Sequence, residues 1–575
     1  MKIESIRLPA IACALAIPLC ALAIWPFVEM GVNDDWSYIK TVQILAQTGH
    51  VVYNGWATAM LGWQLYLGAF FVKLFGFSFT TVRASMLLIA MATAFLTQRT
   101  MVRAGISDWN AALGTLVIVT SPLFLPSALT FMTDVTGLFC IMLCLYACLR
   151  SLQAETDRAA FAWIVFAAVS NTIGGTARQI AWLGVLVMVP STLWLLRRRP
   201  RFILAGSALY LISVGLIFAF IRWFHQQPYS VPENPVHGRV TLGAIALLGK
   251  NMFRAGLDTS LFLLPILLLF LIALRHGDRR TMKFFAIGIT LPILFWLVNF
   301  RHIVYWLAPY LGNYVTIYGF VADDAIHGTR IVLNLGLRIL VTILNIAAVF
   351  ALIALVLADV QKTPPSSGTE PQPSWYSLAM LLGPFTVAYI ILLTPRAAFG
   401  KLFFDRYLLA VMTMALIPIL RFYQDRIQER IPAFTLIPIA LVAAFSISGT
   451  HDIFALHRGR LAAVDELRSA GVPPTAIDAG FDYNGWTQIE MARFINDPQI
   501  ALGPGDHLSP LKTWPKACSS IFLQNFSALS PRYAMAYSPQ TCEGPTRFAP
   551  VTVRTWLGPR YATIYIVNVD NSKAY

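Results

Sequence analysis

The sequence predicts a polytopic α-helical membrane protein with about thirteen transmembrane helices and a small C-terminal α/β domain. The membrane class follows from composition, because 57% of the 575 residues are hydrophobic and only 12% are charged. Soluble domains carry about 25% charged residues. The C-terminal domain follows from a change near residue 450, after which long apolar segments end. We therefore expect two units, residues 1–450 in the membrane and residues 451–575 outside it.

Each predicted span is a segment of about 20 apolar residues, the length that crosses a bilayer. The first is interpreted as an uncleaved helix rather than a signal peptide, because its apolar stretch is long and no polar region precedes "ALA" at 21–23. The segment 60–77 contains Gly62, Gly68 and Lys73 and is interpreted as a re-entrant or interfacial helix. The predicted spans lie near residues 8–28, 82–102, 109–128, 135–152, 159–176, 179–196, 202–223, 257–275, 284–300, 330–357, 376–394, 407–423 and 431–449.

The distribution of Lys and Arg predicts the orientation, since cytoplasmic loops retain them. With the N-terminus inside, the densest basic clusters, "RRRPR" at 197–201 and "RHGDRRTMK" at 275–283, share the cytoplasmic side. An odd number of spans then places the C-terminal domain outside. The net charge of +15 is explained by these loops, and nucleic-acid binding is excluded because no basic patch with interleaved aromatics occurs. Four basic residues fall on the opposite side: Arg301, Arg396, Lys401 and Arg406.

The C-terminal segment has its own helix and strand signals. "HRGRLAAVDELRSAGV" has helical periodicity, and "PPTAIDAG" and "ATIYIVNV" are typical of strands. Cys518 and Cys542 lie in this polar region and are expected to form a disulfide if it is outside the cytoplasm. In contrast, Cys140, Cys144 and Cys148 recur at helical spacing in an apolar run, where small core residues are favoured over metal ligands.

An acidic pair, Asp34 and Asp35, follows the first span in "NDDWSYIKTVQILAQTG". The residues after it predict an amphipathic helix in the membrane interface, and Asn33 or Asp34 would cap that helix. On this interpretation alone, one residue caps the helix and the neighbouring carboxylate is exposed to solvent.

Other ionisable residues occur at the ends of spans on the same predicted outer face. They are Asp134 in "SALTFMTDVTGLF", Arg178 with Gln179 in "GGTARQIAW", and Arg406 in "KLFFDRYLLA". Ionisable side chains at such positions are costly in lipid and usually face a cavity and a partner. Together with Asp34 and Asp35 they predict an outward-facing polar site.

The order of these features resembles the GT-C superfamily of lipid-phosphate-dependent glycosyltransferases. Within it, the chain is similar to the protein O-mannosyltransferase and aminoarabinose transferase branch, which is like glycosyltransferase family 39. The resemblance covers the chain to about residue 450, and its motifs are short. It rests on "NDDWSYIKTVQILAQTG", "LGAFFVKLFGFSFTTVRASML", "SPLFLPSALTFMTDVTGLF" and "FDRYLLAVM", the last of which departs from the family's "RYLLP"-like form.

The resemblance implies a role for each residue. Asp34 matches the catalytic acidic position and would act as general base, with Asp35 orienting the reacting groups. Asp134, with Asp35, would hold a divalent metal cation. The donor phosphate would be bound by Arg178, Gln179 and Arg406, since arginine offers paired donors for phosphate oxygens.

The expected function is therefore that of an inverting glycosyltransferase in the bacterial cytoplasmic (inner) membrane. It would move a sugar from a polyprenyl-phosphate donor to lipid A, a lipid-linked glycan or a protein hydroxyl. A transporter or flippase, or an O-antigen ligase or polymerase, is the alternative. A transporter is less favoured because the spans carry few charges near their middles. Asp323 and Asp324 form an alternative acidic pair.

Overall fold

The computed structural model describes residues 8–56, 58–231, 239–320, 326–328, 330–359, 373–399, 403–512, 520–538 and 543–569. Helices dominate as far as residue 492, and four of the five described short strands follow. The α-helices are α1 Leu8–Ile24, α2 Asp35–Thr48, α3 Gly62–Phe75, α4 Phe79–Arg103, α5 Asp108–Val119, α6 Phe124–Ala128, α7 Asp134–Leu152, α8 Asp157–Gly174, α9 Val189–Leu195, α10 Pro200–His225, α11 Leu242–Phe262, α12 Leu264–Ala273, α13 Arg279–Val298, α14 Leu335–Asp359, α15 Trp375–Ala398, α16 Leu409–Arg426, α17 Leu436–Ser469 and α18 Phe481–Ala492.

The helices make the chain a multi-pass membrane protein, as predicted. Within the described residues, 8 helices are long and apolar enough to cross a membrane, or 9 if α11 and α12, bent by 80°, form one broken span. Every predicted segment overlaps a helix, but α1, α5 and the segment Gln179–Leu195 have only 10–17 residues. The number of thirteen spans therefore stays a prediction. Helix α3, with 14 residues, is about 21 Å long, shorter than the hydrocarbon core, in keeping with a re-entrant or interfacial helix.

Short polar caps fix where several of these helices begin. In each, a Ser, Thr or Asp side chain accepts a hydrogen bond from the backbone N–H three residues later, which satisfies a donor that the helix leaves unpaired. Such a cap stabilises a helix by about 1 kcal/mol. The capping residues are Ser78, Ser107, Thr156, Thr241, Asp278 and Ser374.

The C-terminal unit is a small mixed sheet with helices, as predicted. Strand β1 (Ile477–Asp478) pairs in parallel with β2 (Tyr533–Ala536), and the central β5 (Tyr561–Val569) pairs antiparallel with β2, β3 (Glu543–Gly544) and β4 (Val551–Arg554). The predicted domain boundary at 450 falls inside α17, which runs unbroken for 34 residues. The unit therefore begins as a continuation of the last membrane helix.

Aromatic packing holds the C-terminal unit against the start of α2. Trp36 is fully buried, and its ring contacts those of Trp56, Phe481 and Phe526 at centroid distances of 5.3, 6.0 and 6.4 Å. Gly485 on α18 lies so close that an added Cβ would be 2.5 Å from the Trp36 ring. The C-terminal unit therefore lies directly beside the acidic pair.

Candidate active site

The backbone turns sharply immediately before the acidic pair. Asn33 has φ of 59°, in the left-handed region that Asn tolerates better than most residues, and its Oδ1 accepts a hydrogen bond from the Asp34 N–H at 3.0 Å. Asp34 occupies the N-cap position of α2, but its side chain makes no capping hydrogen bond. The capping interpretation of Asp34 and Asn33 is therefore wrong, because the Asp34 carboxylate has other partners.

Those partners are an arginine and a tryptophan from distant parts of the chain. Asp34 Oδ2 accepts a hydrogen bond from Arg406 Nη2 at 2.9 Å, and Asp34 Oδ1 accepts one from Trp56 Nε1 at 2.8 Å. The Asp34 side chain is 16% exposed. An ionised carboxylate with two oxygens has about four acceptor positions, so Asp34 retains capacity to accept a proton from a ligand.

Asp35 has a different place. Its side chain is fully buried and forms a two-pronged ion pair with Arg83, from Nε at 2.8 Å and from Nη2 at 3.2 Å. The backbone N–H groups of Val32 and Phe131 also donate to it, at 2.7 and 3.3 Å. This saturated, enclosed carboxylate argues against the predicted catalytic or cation-binding role and favours a structural one.

A cavity of about 480 Å³ contains the predicted phosphate ligands. We call it the arginine cavity, because Arg178, Arg396 and Arg406 all line it, together with Gln179 and Asp34. The structure thus brings four of the predicted site residues together from three separate segments of the chain. Arg396, which the sequence marked only as an exception to the predicted orientation, belongs with them.

Neighbouring side chains hold two of these ligands in place. Arg178 Nη1 donates to Thr133 Oγ1 at 2.8 Å and lies 3.0 Å from Asp134 Oδ1. Gln179 Nε2 donates to the carbonyl oxygen of Thr58 at 2.9 Å. Arg178 caps a short 3₁₀ turn, Gln179–Trp182, that begins with Gln179, and a π-helix, Gly184–Met188, follows. Irregular stretches of this kind are often found at functional sites.

Asp134 supports the cavity rather than lining it. Its side chain is 2% exposed and its charge is balanced by Arg178. The predicted cation ligands Asp134 and Asp35 therefore each face an arginine. Among the described residues there is no group of three His, Cys, Asp or Glu side chains that could hold a metal ion. The described acidic residues therefore do not form a group that fits a divalent cation. The binding of a cation itself stays an untested prediction.

A second cavity, of about 390 Å³, lies on the other side of Asp34. We call it the tail cavity, because six of its lining residues belong to α17 or the C-terminal unit: Ile453, His457, Phe481, Asp482, Ile521 and Phe522. Asp34 and Phe404 line both cavities. A carboxylate shared by two cavities is placed to contact one ligand in each.

Sequence reasoning missed the polar cluster in the tail cavity. Asp482 Oδ2 accepts a hydrogen bond from Arg460 Nη1 at 2.9 Å and lies 3.3 Å from His457 Nε2. Burial raises the pKa of Asp482, but the Arg460 charge and His457 outweigh it and hold the pKa below its usual range. The three residues span 457–482 with no recognisable motif, so the only sequence signal was an acid among aromatics in "FDYNGW".

The remaining predicted residues comprise one that the structure describes and five that it does not. Arg301 is exposed and lines neither. The alternative pair Asp323 and Asp324, and Lys401, lie outside the described residues. The proposed disulfide partners are also outside them and stay predictions: Cys518 and Cys542.

Comparison with known proteins gives structural neighbours but no sequence relatives. No protein-family model and no curated protein matches the chain. Undecaprenyl-phosphate-bound ArnT from Cupriavidus metallidurans matches with 13% identity and a TM-score of 0.37, over 98% of each chain. The AglB oligosaccharyltransferase from Archaeoglobus fulgidus, in complex with an inhibitory peptide and a dolichol-phosphate, matches with 12% identity and a TM-score of 0.42, over 92% of this chain and 69% of that one.

A third neighbour is the Pmt1–Pmt2 protein O-mannosyltransferase of S. cerevisiae, solved with its sugar donor. It matches with 14% identity and a TM-score of 0.32, and the match spans 39% of this chain and only 34% of that one. All three neighbours are GT-C glycosyltransferases. That is the superfamily that the sequence resembles. At these identities and TM-scores, the likeness assigns neither an activity nor a site residue to this chain.

Proposed function

We propose that this protein is an inverting glycosyltransferase that takes a sugar from a polyprenyl-phosphate donor and places it on a hydroxyl acceptor. The observation that carries the proposal is the position of Asp34. Its carboxylate lines a cavity with three arginines on one side and an aromatic, carboxylate-containing cavity on the other. Transfer between a phosphate-linked donor and a hydroxyl acceptor requires a base between two such binding sites.

The arginine cavity suits the phosphate of the donor. Arginine presents donors in a planar fork that matches phosphate oxygens, and Arg178, Arg396 and Arg406 line the cavity together. Aliphatic and aromatic side chains, Leu392, Leu393 and Tyr389, share its lining. A lipid phosphate combines an anionic head with an apolar chain, which is the combination that this lining accommodates.

Asp34 would then act as the general base. It accepts the proton of the acceptor hydroxyl while that oxygen forms a bond to the anomeric carbon. At the same time the bond from the anomeric carbon to the phosphate oxygen breaks, and its electron pair leaves on the phosphate. Because attack and departure occur on opposite faces in one displacement, the configuration inverts. The arginines stabilise the charge on the departing lipid phosphate.

Arg406 links the two halves of this reaction. Its Nη2 is bound to Asp34 at 2.9 Å, while the Arg406 Nε and Nη1 atoms are buried and make no hydrogen bond to the described residues. Buried guanidinium donors without partners are costly, so a bound phosphate would satisfy them. The same side chain would thereby hold the base and the leaving group in register.

The location of the site and a reaction that proceeds without a divalent cation are also part of the proposal. We place the site at the outer face of the bacterial cytoplasmic membrane, with the N-terminus in the cytoplasm and the C-terminal unit outside. This placement rests on the Lys and Arg distribution. The derived steps need no divalent cation, and chelation with EDTA should leave the rate of transfer unchanged.

The test is sugar transfer by reconstituted protein. The protein is given radiolabelled undecaprenyl-phosphate sugars one at a time, with glycolipids extracted from a deletion strain as acceptors. Replacing a general base typically lowers the rate by about 10²–10⁴-fold, so Asp34→Asn should lose transfer to that extent. Asp465→Asn is the control, since Asp465 is an exposed carboxylate of α17 that lines neither cavity. Full transfer by Asp34→Asn would overturn the assignment of the base.

A further inference from the structure

The two cavities that share Asp34 differ sharply in charge. Three arginines line the arginine cavity. Within the described part of the chain, two carboxylates line the tail cavity, Asp34 and Asp482. The lining also contains one histidine, His457. Each carboxylate is paired with an arginine that does not line this cavity, Arg406 for Asp34 and Arg460 for Asp482. The described lining therefore offers carboxylate acceptors to the donor groups of a neutral or cationic ligand but no arginine to an anion.

The local cation near Asp482 is directed away from the cavity. Arg460 is buried and donates from Nε at 2.8 Å, and also from Nη2, to the carbonyl oxygen of Ala479. Its Nη1 donates to Asp482 Oδ2 at 2.9 Å. Arg460 does not line the tail cavity, so its donors hold Asp482 in position and are occupied by protein rather than open to a ligand anion.

Both ring nitrogens of His457 contact protein groups. Its Nδ1 lies 2.7 Å from the carbonyl oxygen of Ile453, which can only accept, so Nδ1 carries the proton. Its Nε2 lies 3.2 Å from Arg460 Nη1, which can only donate. Nε2 also lies 3.3 Å from Asp482 Oδ2, so both ring nitrogens are engaged by protein groups rather than open to a ligand anion.

Asp482 keeps one oxygen for a ligand. Its side chain is 3% exposed, and Oδ2 is used by Arg460. No hydrogen bond to Oδ1 occurs among the described residues. The residue lines the tail cavity, so Oδ1 is the carboxylate oxygen left to accept a hydrogen bond from whatever occupies it. A buried carboxylate oxygen of this kind is satisfied by a hydroxyl or an ammonium group, both of which donate.

The rest of the lining favours a glycan. Six aromatic residues surround the cavity: Tyr314, Tyr318, Phe403, Phe404, Phe481 and Phe522. Aromatic faces suit the C–H faces of a sugar ring. The amides of Asn33 and Asn313, joined by a hydrogen bond of 3.1 Å, can exchange further hydrogen bonds with sugar hydroxyls. Concave apolar walls with a few convergent polar groups are the usual form of such sites.

We propose that the tail cavity binds the acceptor glycan, that Asp482 accepts a hydrogen bond from one of its hydroxyls, and that the bound ring is uncharged or cationic rather than acidic or phosphorylated. The identification of this glycan as the acceptor rests on the proposed function. The charge preference of the cavity does not. Asp482 is thus a specificity-determining residue supplied by the C-terminal unit.

The test compares three methyl glycosides of one ring type: methyl glucoside, its amino analogue methyl glucosaminide and its acidic analogue methyl glucuronide. Binding to full-length protein in nanodiscs is measured by calorimetry. We expect the neutral and amino glycosides to bind at least about tenfold more tightly than the glucuronide, a ratio that corresponds to about 1.4 kcal/mol. Asp482→Asn should reduce that ratio to about threefold or less, whereas Asp465→Asn should preserve it.

A second variant distinguishes a change in binding at the tail cavity from a folding defect caused by Asp482→Asn. Ile521→Trp fills the tail cavity from its half-buried wall and leaves the polar cluster intact, so it should abolish glycoside binding. Undecaprenyl phosphate is titrated into every variant, and its affinity should stay unchanged. Equal affinity for the glucuronide and the glucoside would overturn the proposal. It would also be overturned if wild-type protein bound a Ser/Thr peptide tightly and bound none of the glycosides. If wild-type protein failed to bind undecaprenyl phosphate but kept its glycoside selectivity, only the proposed donor would be ruled out.

Discussion

Neutralising Asp35 should unfold part of the membrane unit rather than remove a catalytic group. In Asp35→Asn the Arg83 guanidinium would stay buried, only 4% exposed, without its counter-charge. Arg83 also donates to the carbonyl oxygens of Val28 and Met30 at 2.9 and 2.6 Å, so it cannot turn out to solvent without losing those bonds. Breaking one partner of a buried pair costs about 3–5 kcal/mol, which lowers the folding equilibrium constant by about two to four orders of magnitude.

Thermal unfolding in detergent, followed by tryptophan fluorescence, measures this cost. We expect Asp35→Asn and Arg83→Gln each to lower the unfolding temperature clearly, and the double variant to be no worse than the poorer single variant, because neither charge is then left unpaired. Asp34→Asn also leaves a buried arginine, Arg406, without its counter-charge, but the Asp34 side chain is 16% exposed, so we expect a smaller decrease in unfolding temperature. Asp465→Asn removes an exposed carboxylate and should unfold near the wild-type temperature. If Asp35→Asn kept wild-type stability yet lost sugar transfer, the structural role of Asp35 would be refuted and the predicted catalytic role restored.

Two further predictions concern the contacts of the C-terminal unit. Gly485→Ala places a methyl group against the buried Trp36 ring, 2.5 Å away, and should lower stability by about 1–3 kcal/mol; a temperature of unfolding equal to wild type would contradict this. His327 faces Asp478 at 3.6 Å and also contacts Glu543. Burial lowers the pKa of His327, but these carboxylates outweigh it and raise the pKa from 6.5 to about 9. Because the folded pKa is the higher, the stabilisation is complete below about pH 6.5 and is lost as pH rises through 9. Unfolding temperatures of wild type and His327→Gln between pH 6 and 10 should converge at high pH, and parallel curves would exclude this ion pair as the cause.

The sequence located the helices and four residues of the arginine cavity. Apolar segments and their ends can be recognised directly in the sequence, because lipid requires every spanning segment to be apolar and to satisfy its own backbone hydrogen bonds. An ionisable residue at the end of such a run needs a partner or a cavity. That requirement predicted the convergence of Asp34, Arg178, Gln179 and Arg406, although it did not say which groups would touch.

The sequence did not separate the two members of the acidic pair. Asp34 and Asp35 are adjacent and chemically alike, but successive positions point about 100° apart around a helix. One carboxylate therefore faces two cavities, and the other faces Arg83. The prediction of Asp35 as a cation ligand did not include its partner Arg83, because Arg83 lies 48 positions away and no periodicity connects the two.

What the sequence by itself determined is the membrane class, the presence of a mixed C-terminal unit and the set of ionisable residues at the ends of the helices. Hydropathy and local periodicity are properties of short segments, so they can be determined from the sequence without knowledge of the fold. Only the tertiary structure decided that α17 carries His457 and Arg460 beside the membrane unit, and that Asp482 joins Asp34 in the lining of one cavity. Those contacts join residues hundreds of positions apart, and they depend on how Trp36, Gly485 and their neighbours pack.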